Sequence, residues 1–293
     1  MPLDLPAGKR LAVSIGSDFD AQSVWMGTFG SVSQSHLSRG EFGAVVGVPR
    51  LLNMFDSYGI RTTWCTPTHT LQTFPAQCHA IVEHGHEIAA HGVYHETITS
   101  LAPEEERRLM ELQVRQHERL LGAAPRGYRS PSWDISEITL ELLEEFGFDW
   151  DSSLMGRDFE PYRPRIVTKV DRENGNTFGP ESSLLEIPVS WYLDDFPALE
   201  NLPRSVGMQS TEIVLSRWTD QFDFAYEHCP GGVFALTVHP QTIARGHHML
   251  MFEKFLKHIT HRDGVWFATL SEVTDCWSDG LSSQTPTNSE RLS

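Results

Sequence analysis

The sequence is poor in basic residues and has no long apolar run. Both absences reduce the number of functional classes to which the protein can belong. Its 293 residues include 23 lysines and arginines against 39 aspartates and glutamates, which gives a formal net charge of −16. A surface of that sign repels phosphate backbones and anionic lipids, so we expect no nucleic-acid partner and no membrane partner. No stretch approaches the roughly 18 apolar residues of a membrane-spanning helix.

Paired cysteines and an export signal are also missing. The four cysteines form no CxxC pair, and their wide spacing indicates neither a disulfide framework nor a thiolate zinc site; they are Cys65, Cys78, Cys229 and Cys276. The N-terminus lacks the basic start, the apolar run and the small-residue cleavage site of a secretory signal. We therefore expect a cytoplasmic protein with reduced thiols.

Three common catalytic motifs are absent. The chain has no GxSxG elbow, no P-loop and no GxGxxG segment, so a serine hydrolase, a nucleotidase and a dehydrogenase all lack their usual anchors. Histidine is plentiful instead, with 14 in the chain. Several of them fall close together, at His84, His86, His91 and His95.

A helix that ends in glycine and is followed at once by a short apolar run recurs along the chain. The clearest example is 48–58, with Pro49 in its first turn, Gly59 as its stop and an apolar run directly after it. This repetition is typical of βα units rather than of an antiparallel sandwich. About eight strands separated by helices favour a closed or nearly closed (β/α) barrel, with an open doubly wound sheet as the alternative. The clear strands are predicted at 11–15, 60–65, 86–90, 148–151, 184–189, 233–238 and 265–268.

Two long segments interrupt the repetition. Residues 21–47 are rich in glycine and serine, and residues 156–183 are polar with aromatics and prolines. Long loops inside a compact domain are usually lids, binding loops or subunit contacts. Because no long linker divides the chain, we predict a single α/β domain over 1–277 and a disordered polar tail over 278–293.

Polar residues cluster where the predicted strands end, which is where a (β/α) barrel builds its active site. His91 and His95 are four residues apart, so on a helical turn both imidazoles would face one metal, although two surface or capping histidines fit the spacing equally well. Asp18 and Asp20 are two apart, so on an extended backbone both carboxylates point the same way. Two histidines and one carboxylate suit zinc or another divalent ion.

The remaining polar residues fit the other roles of a metal-assisted hydrolysis. The aspartate that does not bind metal would act as general base on water. Arg129 would orient that base, although a lone arginine is more often a surface ion pair. His239 would protonate a leaving nitrogen while Asp151 fixes its tautomer, with a hydrogen-bonded core histidine as the alternative.

Five segments together resemble the NodB-homology polysaccharide deacetylase superfamily of carbohydrate esterases. They follow the order of that family and cover most of the chain: SDFDA at 17–21, HGHEIAAHGVYHE at 84–96, RSPSW at 129–133, DSS at 151–153 and LTVHP at 236–240. The resemblance implies a distorted (β/α) barrel of about seven to eight strands. It also implies the following roles: Asp20, His91 and His95 as metal ligands, Asp18 as base, Arg129 as its support, Trp133 as a pocket wall, and His239 as acid with Asp151 behind it.

The first motif departs from the usual pair of adjacent aspartates, because Phe19 separates Asp18 from Asp20. The spaced form resembles a branch that includes peptidoglycan-deacetylase-like proteins, cofactor-independent allantoinases and cyclic imide hydrolases. That branch implies a homo-oligomer, often a tetramer.

Because no export signal is recognised, a small soluble amide is favoured over a cell-wall polymer. The leading hypothesis is hydrolysis of a C–N bond in a small cyclic imide or related amide, with zinc as the metal and cobalt, manganese or nickel as alternatives. The residues expected to contact the substrate are Trp25, His69, Trp133 and Ser152. N-deacetylation of an amino sugar and non-catalytic metabolite binding are the other hypotheses.

Overall fold

The computed structural model describes residues 3–202 and 207–282, and these form a curled sheet of eight parallel strands surrounded by helices. The strands of this sheet are β1 (Leu11–Asp18), β2 (Thr63–Thr66), β3 (Glu87–Ala90), β4 (Gly127–Tyr128), β5 (Trp150–Asp151), β8 (Leu185–Glu186), β9 (Gly232–Val238) and β10 (Val265–Phe267). A separate antiparallel hairpin joins β6 (Val167–Lys169) to β7 (Thr177–Phe178).

The first strand organises the sheet. All eight residues of β1 are buried, as expected for a strand covered on both faces. It pairs along its length with β9, from Leu11 opposite Gly232 to Ser17 opposite Val238. Its other edge pairs with β10 at the start and with β2 at the end, and the sheet continues through β3, β4 and β5 to β8. The result is a half-barrel, so the predicted distorted (β/α) barrel is confirmed.

Helices cover the outside of the sheet. Their bounds are α1 (Ser23–Gly27), α2 (Gln34–Phe42), α3 (Val48–Tyr58), α4 (Thr68–Thr73), α5 (Pro75–Glu83), α6 (Pro103–Leu121), α7 (Thr139–Glu145), α8 (Phe196–Leu199), α9 (Thr211–His228), α10 (Pro240–Ile243), α11 (Gly246–Thr260) and α12 (Leu270–Ser282). The predicted helix at 48–58 is confirmed: Pro49 lies in the first turn of α3, and Gly59 ends it in the left-handed region at φ +63°.

Aromatic and aliphatic side chains fill the space between α3, α9, α11 and the sheet. Phe55 of α3 meets Trp64 of β2 and Phe252 of α11 edge to face, with ring centroids 6.3 Å apart in both pairs. Each large apolar side chain buried in this way stabilises the fold by about 1.5–3 kcal/mol. This core holds the strands so that their carboxyl ends meet at one rim.

The segment 21–47 is mostly helical, so its interpretation as a long loop is wrong. It contains α1, α2 and a π-helical turn, Gly43–Gly47. Its glycines are there for close packing: a Cβ on Gly40 would lie 2.4 Å from the carbonyl carbon of Ala21, and one on Gly47 would lie 2.5 Å from the carbonyl oxygen of Pro240. The segment 156–183 is irregular apart from the β6–β7 hairpin.

Two further differences concern short and terminal elements. β4 is only two residues long, too short for an apolar run to predict it. The helix α12 continues to Ser282, five residues into the predicted tail, and the rest of that tail lies outside the described residues. Within the described part of the chain, no helix is both long enough and apolar enough to cross a bilayer.

Candidate active site

Asp20, His91 and His95 come together in a buried cluster at the carboxyl rim of the sheet. Oδ1 of Asp20 lies 3.4 Å from Nε2 of His91 and 3.8 Å from Nε2 of His95. This oxygen is buried and has no hydrogen-bond donor among the described residues. One carboxylate and two imidazoles whose free atoms converge in this way are the donor set of a divalent metal with open coordination positions. The residues present therefore fit a metal ion.

The far nitrogen of each imidazole is held by a neighbour. Nδ1 of His91 donates to the carbonyl oxygen of Arg129 at 2.7 Å, and Nδ1 of His95 lies 2.6 Å from the hydroxyl of Thr28. Partners of this kind fix the ring and leave Nε2 as the free ligand atom. Thr28, just after α1, was missed in the sequence, where nothing sets this threonine apart.

His91 and His95 lie in a loop, not in the helical turn that their spacing suggests. Gly92 and His95 both have left-handed backbones, at φ +73° and φ +61°. The Glu96 carboxylate holds the loop by accepting from the backbone N–H groups of Val93 at 3.0 Å and Tyr94 at 2.8 Å. This loop, rather than a 3.6-residue period, turns both imidazoles toward Asp20. A left-handed non-glycine residue is strained, and such strain concentrates at functional sites.

Electrostatics prepare the cluster for a cation. Burial alone would raise the pKa of Asp20, but His95, His91 and His239 lower it to about 2. Burial lowers the pKa of His95 to about 4, so this imidazole is neutral at pH 7. An ionised carboxylate and a neutral imidazole are the protonation states that metal binding requires. Burial lowers the pKa of His91 as well, but its hydrogen bond to Asp20 and the charge of Asp18 raise it above its usual value, so a metal would compete with a proton for this nitrogen.

Asp18 lies beside this cluster and forms a buried ion pair with Arg129. Nη1 of Arg129 donates to Oδ1 of Asp18 at 2.7 Å, while Oδ2 of Asp18 lies 3.8 Å from Nε2 of His91. Arg129 also donates to the backbone carbonyl and the hydroxyl of Ser152, at 3.1 and 2.9 Å. Although burial lowers the pKa of Arg129, the Asp18 carboxylate raises it above its usual value, so the guanidinium stays charged.

His239 approaches the cluster from β9, but its carboxylate partner differs from the predicted one. Its Nδ1 donates to Oδ1 of Asp195 at 2.8 Å and lies 3.5 Å from Oδ1 of Asp194. Asp151 does not contact His239; its Oδ1 accepts from the Ser153 hydroxyl instead. The predicted Asp151 contact is therefore wrong. Asp194 reaches His239 because it bridges to Thr237, at the end of β9.

The two aspartates change the protonation of His239. Burial lowers its pKa, but the carboxylates of Asp194 and Asp195 outweigh burial and raise it to about 10. Its Nε2 lies 3.7 Å from Oδ2 of Asp20, so the ring faces the metal cluster with a proton available. The adjacent pair in WYLDDF was the sequence signal for this contact, but it does not directly follow a predicted strand.

The carboxylates and imidazoles at the centre of the site line one cavity of about 180 Å³, and the rest of its wall is mostly apolar, with four aromatic side chains. The rings of Trp133 and Trp191 pack with centroids 4.4 Å apart, and Phe196 lies 4.8 Å from the His239 ring. Trp133 and its neighbour Ser132 both have left-handed backbones, at φ +54° and φ +56°. The cavity is lined by Asp18, Asp20, Val24, Thr28, Phe29, His91, His95, Ser132, Trp133, Trp191, Asp194, Phe196, Pro197, Leu202 and His239.

Three of the four residues that were predicted to contact the substrate do not line the cavity, so the prediction is wrong for these three. Trp25 is fully buried and stacks on Phe29, with centroids 5.4 Å apart. Nδ1 of His69 lies 3.2 Å from the hydroxyl of Ser23. Ser152 is fully buried, and its hydroxyl accepts a hydrogen bond from Arg129. None of these three side chains lines the cavity; Trp25 packs against Phe29 of its wall, and Ser152 accepts from Arg129.

Comparison with known proteins agrees with this geometry. The family model described as "Polysaccharide deacetylase" matches residues 41–150, a segment that contains His91, His95, Arg129 and Trp133. A curated relative, "Peptidoglycan deacetylase" of Helicobacter pylori, is 38% identical over 281 residues, which cover 91% of this chain and 96% of the relative.

Two solved structures show the same fold. A putative polysaccharide deacetylase from Mycobacterium smegmatis has a TM-score of 0.83 and 29% identity, with 100% of this chain and 98% of that chain covered. An allantoinase has a TM-score of 0.78 and 20% identity, with 95% and 94% covered, and at that identity it supports the fold alone.

Proposed function

The chain belongs to the polysaccharide deacetylase family and is a hydrolase of carbon–nitrogen bonds, and from this premise we propose that its substrate is a small cyclic imide or related cyclic amide. The observation that carries the proposal is the cavity. Its volume of about 180 Å³ is small, since pockets for drug-sized ligands take roughly 300 Å³ or more. Aromatic walls beside polar catalytic groups suit a compact planar ring.

Asp20, His91 and His95 would hold one divalent cation, which we propose to be zinc; cobalt, manganese and nickel accept the same donors. A cation in such a site lowers the pKa of water toward ~7 and polarises a carbonyl group.

The chain's own residues supply the proton transfers. The oxygen of water attacks the carbonyl carbon, and Asp18, held by Arg129, accepts a proton from that water. His239 gives the proton on Nε2 to the departing nitrogen as the C–N bond breaks, because its Nδ1 proton is held by Asp195. Asp18 and His239 therefore act as base and acid.

N-deacetylation of an amino sugar is the second candidate, and one observation favours it. A groove of about 650 Å³ adjoins the cavity and shares Trp191 with it; Met155, Arg157 and Tyr192 also line this groove. An oligosaccharide needs an open surface of this kind beside the reacting amide, and a relative carries the name "Peptidoglycan deacetylase". The same acid and base would serve that reaction.

One preparation of the protein tests both candidates. After metal analysis, it is assayed on succinimide, glutarimide, hydantoin, allantoin and N-acetylated chito-oligosaccharides. We expect ring opening of at least one imide, with no turnover by His91→Ala. Turnover of the oligosaccharides alone would overturn the imide proposal. The tetramer stays a prediction that sedimentation of the same preparation can check.

A further inference from the structure

A pair of buried carboxyl groups, Asp151 and Glu186, lies outside the cavity and has no part in the chemistry above. The two residues sit opposite each other on the paired strands β5 and β8. Both are fully buried, with 0% of each exposed to solvent. Two carboxylates so placed cannot both stay ionised without a large cost.

The hydrogen bonds of the pair leave one oxygen on each side chain without a donor. Oε1 of Glu186 accepts from the backbone N–H groups of Ser153 and Leu154, at 3.0 and 2.9 Å. Oδ1 of Asp151 accepts from the Ser153 hydroxyl at 2.6 Å. Oδ2 of Asp151 and Oε2 of Glu186 are buried and have no donor among the described residues. The two carboxyl groups are within hydrogen-bonding reach of each other.

The turn formed by residues 152–154 contacts both the carboxyl pair and Arg129. The carbonyl and hydroxyl groups of Ser152 accept from the Arg129 guanidinium. The Ser153 hydroxyl accepts from the backbone N–H of Ser130 at 2.9 Å. The carbonyl of Arg129 in turn accepts from Nδ1 of His91. The Arg129 guanidinium and the backbone that follows it thus both hydrogen-bond to the 152–154 turn, and Asp151 and Glu186 hold that turn in place.

We propose that Asp151 and Glu186 share a single proton and act as a positioning pair, which holds the 152–154 turn and through it the Arg129 guanidinium on Asp18. One proton between the two carboxyl groups gives both remaining oxygens a partner and leaves the pair with one negative charge. The consequence for turnover rests on the proposed function, in which Asp18 is the base; the shared proton itself does not.

The surroundings of the pair agree with a retained proton. Burial raises the pKa of Asp151, and burial followed by the charge of Asp151 raises the pKa of Glu186 well above its usual value. The other charged or titratable groups that face the pair are the Arg129 guanidinium and the phenols of Tyr128 and Tyr162. Burial raises the pKa of Tyr162 to about 12, so this phenol stays neutral while the pair titrates.

Amide substitutions test the sharing of the proton. In Glu186→Gln or Asp151→Asn alone, the new NH2 group can donate to the remaining carboxylate, so we expect kcat to fall by less than about fivefold, well short of the ~10²-fold that misplaced groups can cost. In the double variant two NH2 groups face each other, and we expect kcat to fall by about 10²-fold with little change in KM. Glu181→Gln, at an exposed position, is the matched control.

Thermal unfolding against pH gives a readout that needs no substrate. A carboxyl group whose pKa is raised in the folded state contributes stability at low pH that is lost as pH rises through that pKa. The wild type should therefore lose unfolding temperature relative to Glu186→Gln as pH rises above the ordinary carboxyl range, because glutamine has no proton to release. Parallel curves for the two proteins would overturn the shared proton, whether or not any imide is hydrolysed. A double variant whose kcat loss equals the product of the single losses would overturn the positioning role.

Discussion

Two clusters of similar residues lie beside each other at the active site, and their surroundings suit one to a metal ion and the other to a proton. Asp20, His91 and His95 form one, and Asp194, Asp195 and His239 form the other; each could offer three metal ligands. In the first, the imidazoles have a carbonyl and a hydroxyl on Nδ1, and Oδ1 of Asp20 lacks a donor. In the second, the only imidazole has its Nδ1 on a carboxylate.

The neighbours of each imidazole therefore decide its role. Burial lowers the pKa of His95 to about 4, whereas two carboxylates raise the pKa of His239 to about 10 against the effect of burial. In the first cluster a metal would take the place of the proton that Asp20 and Asp18 favour on His91, whereas in the second the proton on His239 stays. The predictions below test this division, beginning with the largest expected effect.

His91→Ala should remove the metal and reduce turnover to background, because two ligand atoms cannot hold the ion that the reaction needs. Metal content per chain by plasma mass spectrometry and turnover of the active imide are the measurements. His84→Ala, which changes a histidine paired with Asp56 away from the cavity, is the control. A full complement of metal in His91→Ala would remove this residue from the ligand set.

Asp18→Asn should keep the metal but lose a factor of about 10²–10⁴ in kcat, because the general base is gone. It should also destabilise the fold by about 3–5 kcal/mol, since Arg129 is left as an unpaired buried charge. Metal content, kcat and urea unfolding are measured on the same preparation. Metal loss in this variant, with retention in Asp20→Asn, would exchange the roles of the two aspartates.

His239→Ala should also keep the metal and lose about 10²–10⁴-fold in kcat, because the proton donor is gone. A substrate whose leaving nitrogen is more acidic needs less protonation, so the loss should shrink along a series of N-substituted imides in which the pKa of the released amide N–H falls. An equal loss for all members of that series would contradict the acid role of His239.

Gly27→Ala should have the smallest effect, a loss of about 10–100-fold in metal affinity, comparable to that of removing an outer-shell partner. A Cβ at this position would lie 2.2 Å from the carbonyl oxygens of both Tyr94 and His95, so the loop must move. Competition with a chromogenic chelator measures the affinity. Gly246→Ala is the matched control, because nothing lies within 4 Å of the new Cβ. Equal affinities in the two variants would show that the loop position does not matter to the metal.

The first cluster could be predicted from the sequence because its signals are local. His91 and His95 share one short segment, Asp18 ends the first strand and Asp20 comes just after it, so fold topology alone brings them together. Even so, the spacing suggested a helical turn where the structure has a loop with two left-handed residues.

The second cluster depends on tertiary contacts that no local pattern records. Asp195 reaches His239 because the segment after Trp191 lies along β9, and only the bridge between Asp194 and Thr237 reveals this. Asp151 belongs to the DSS motif, which made it the expected partner of His239, but in the structure it lies opposite Glu186 on β8. The prediction of a loop at 21–47 was wrong for a related reason. Glycine is used both in flexible loops and where helices pack closely, and the sequence does not distinguish the two uses.

Anomalous diffraction from crystals of the purified protein tests the central division most directly. Data on both sides of the metal's absorption edge should give one peak per chain, bounded by Oδ1 of Asp20 and Nε2 of His91 and His95, with no peak between His239 and Asp195. A peak at Asp194, Asp195 and His239, alone or in addition, would contradict the account, because His239 would then hold a metal where it is assigned a proton.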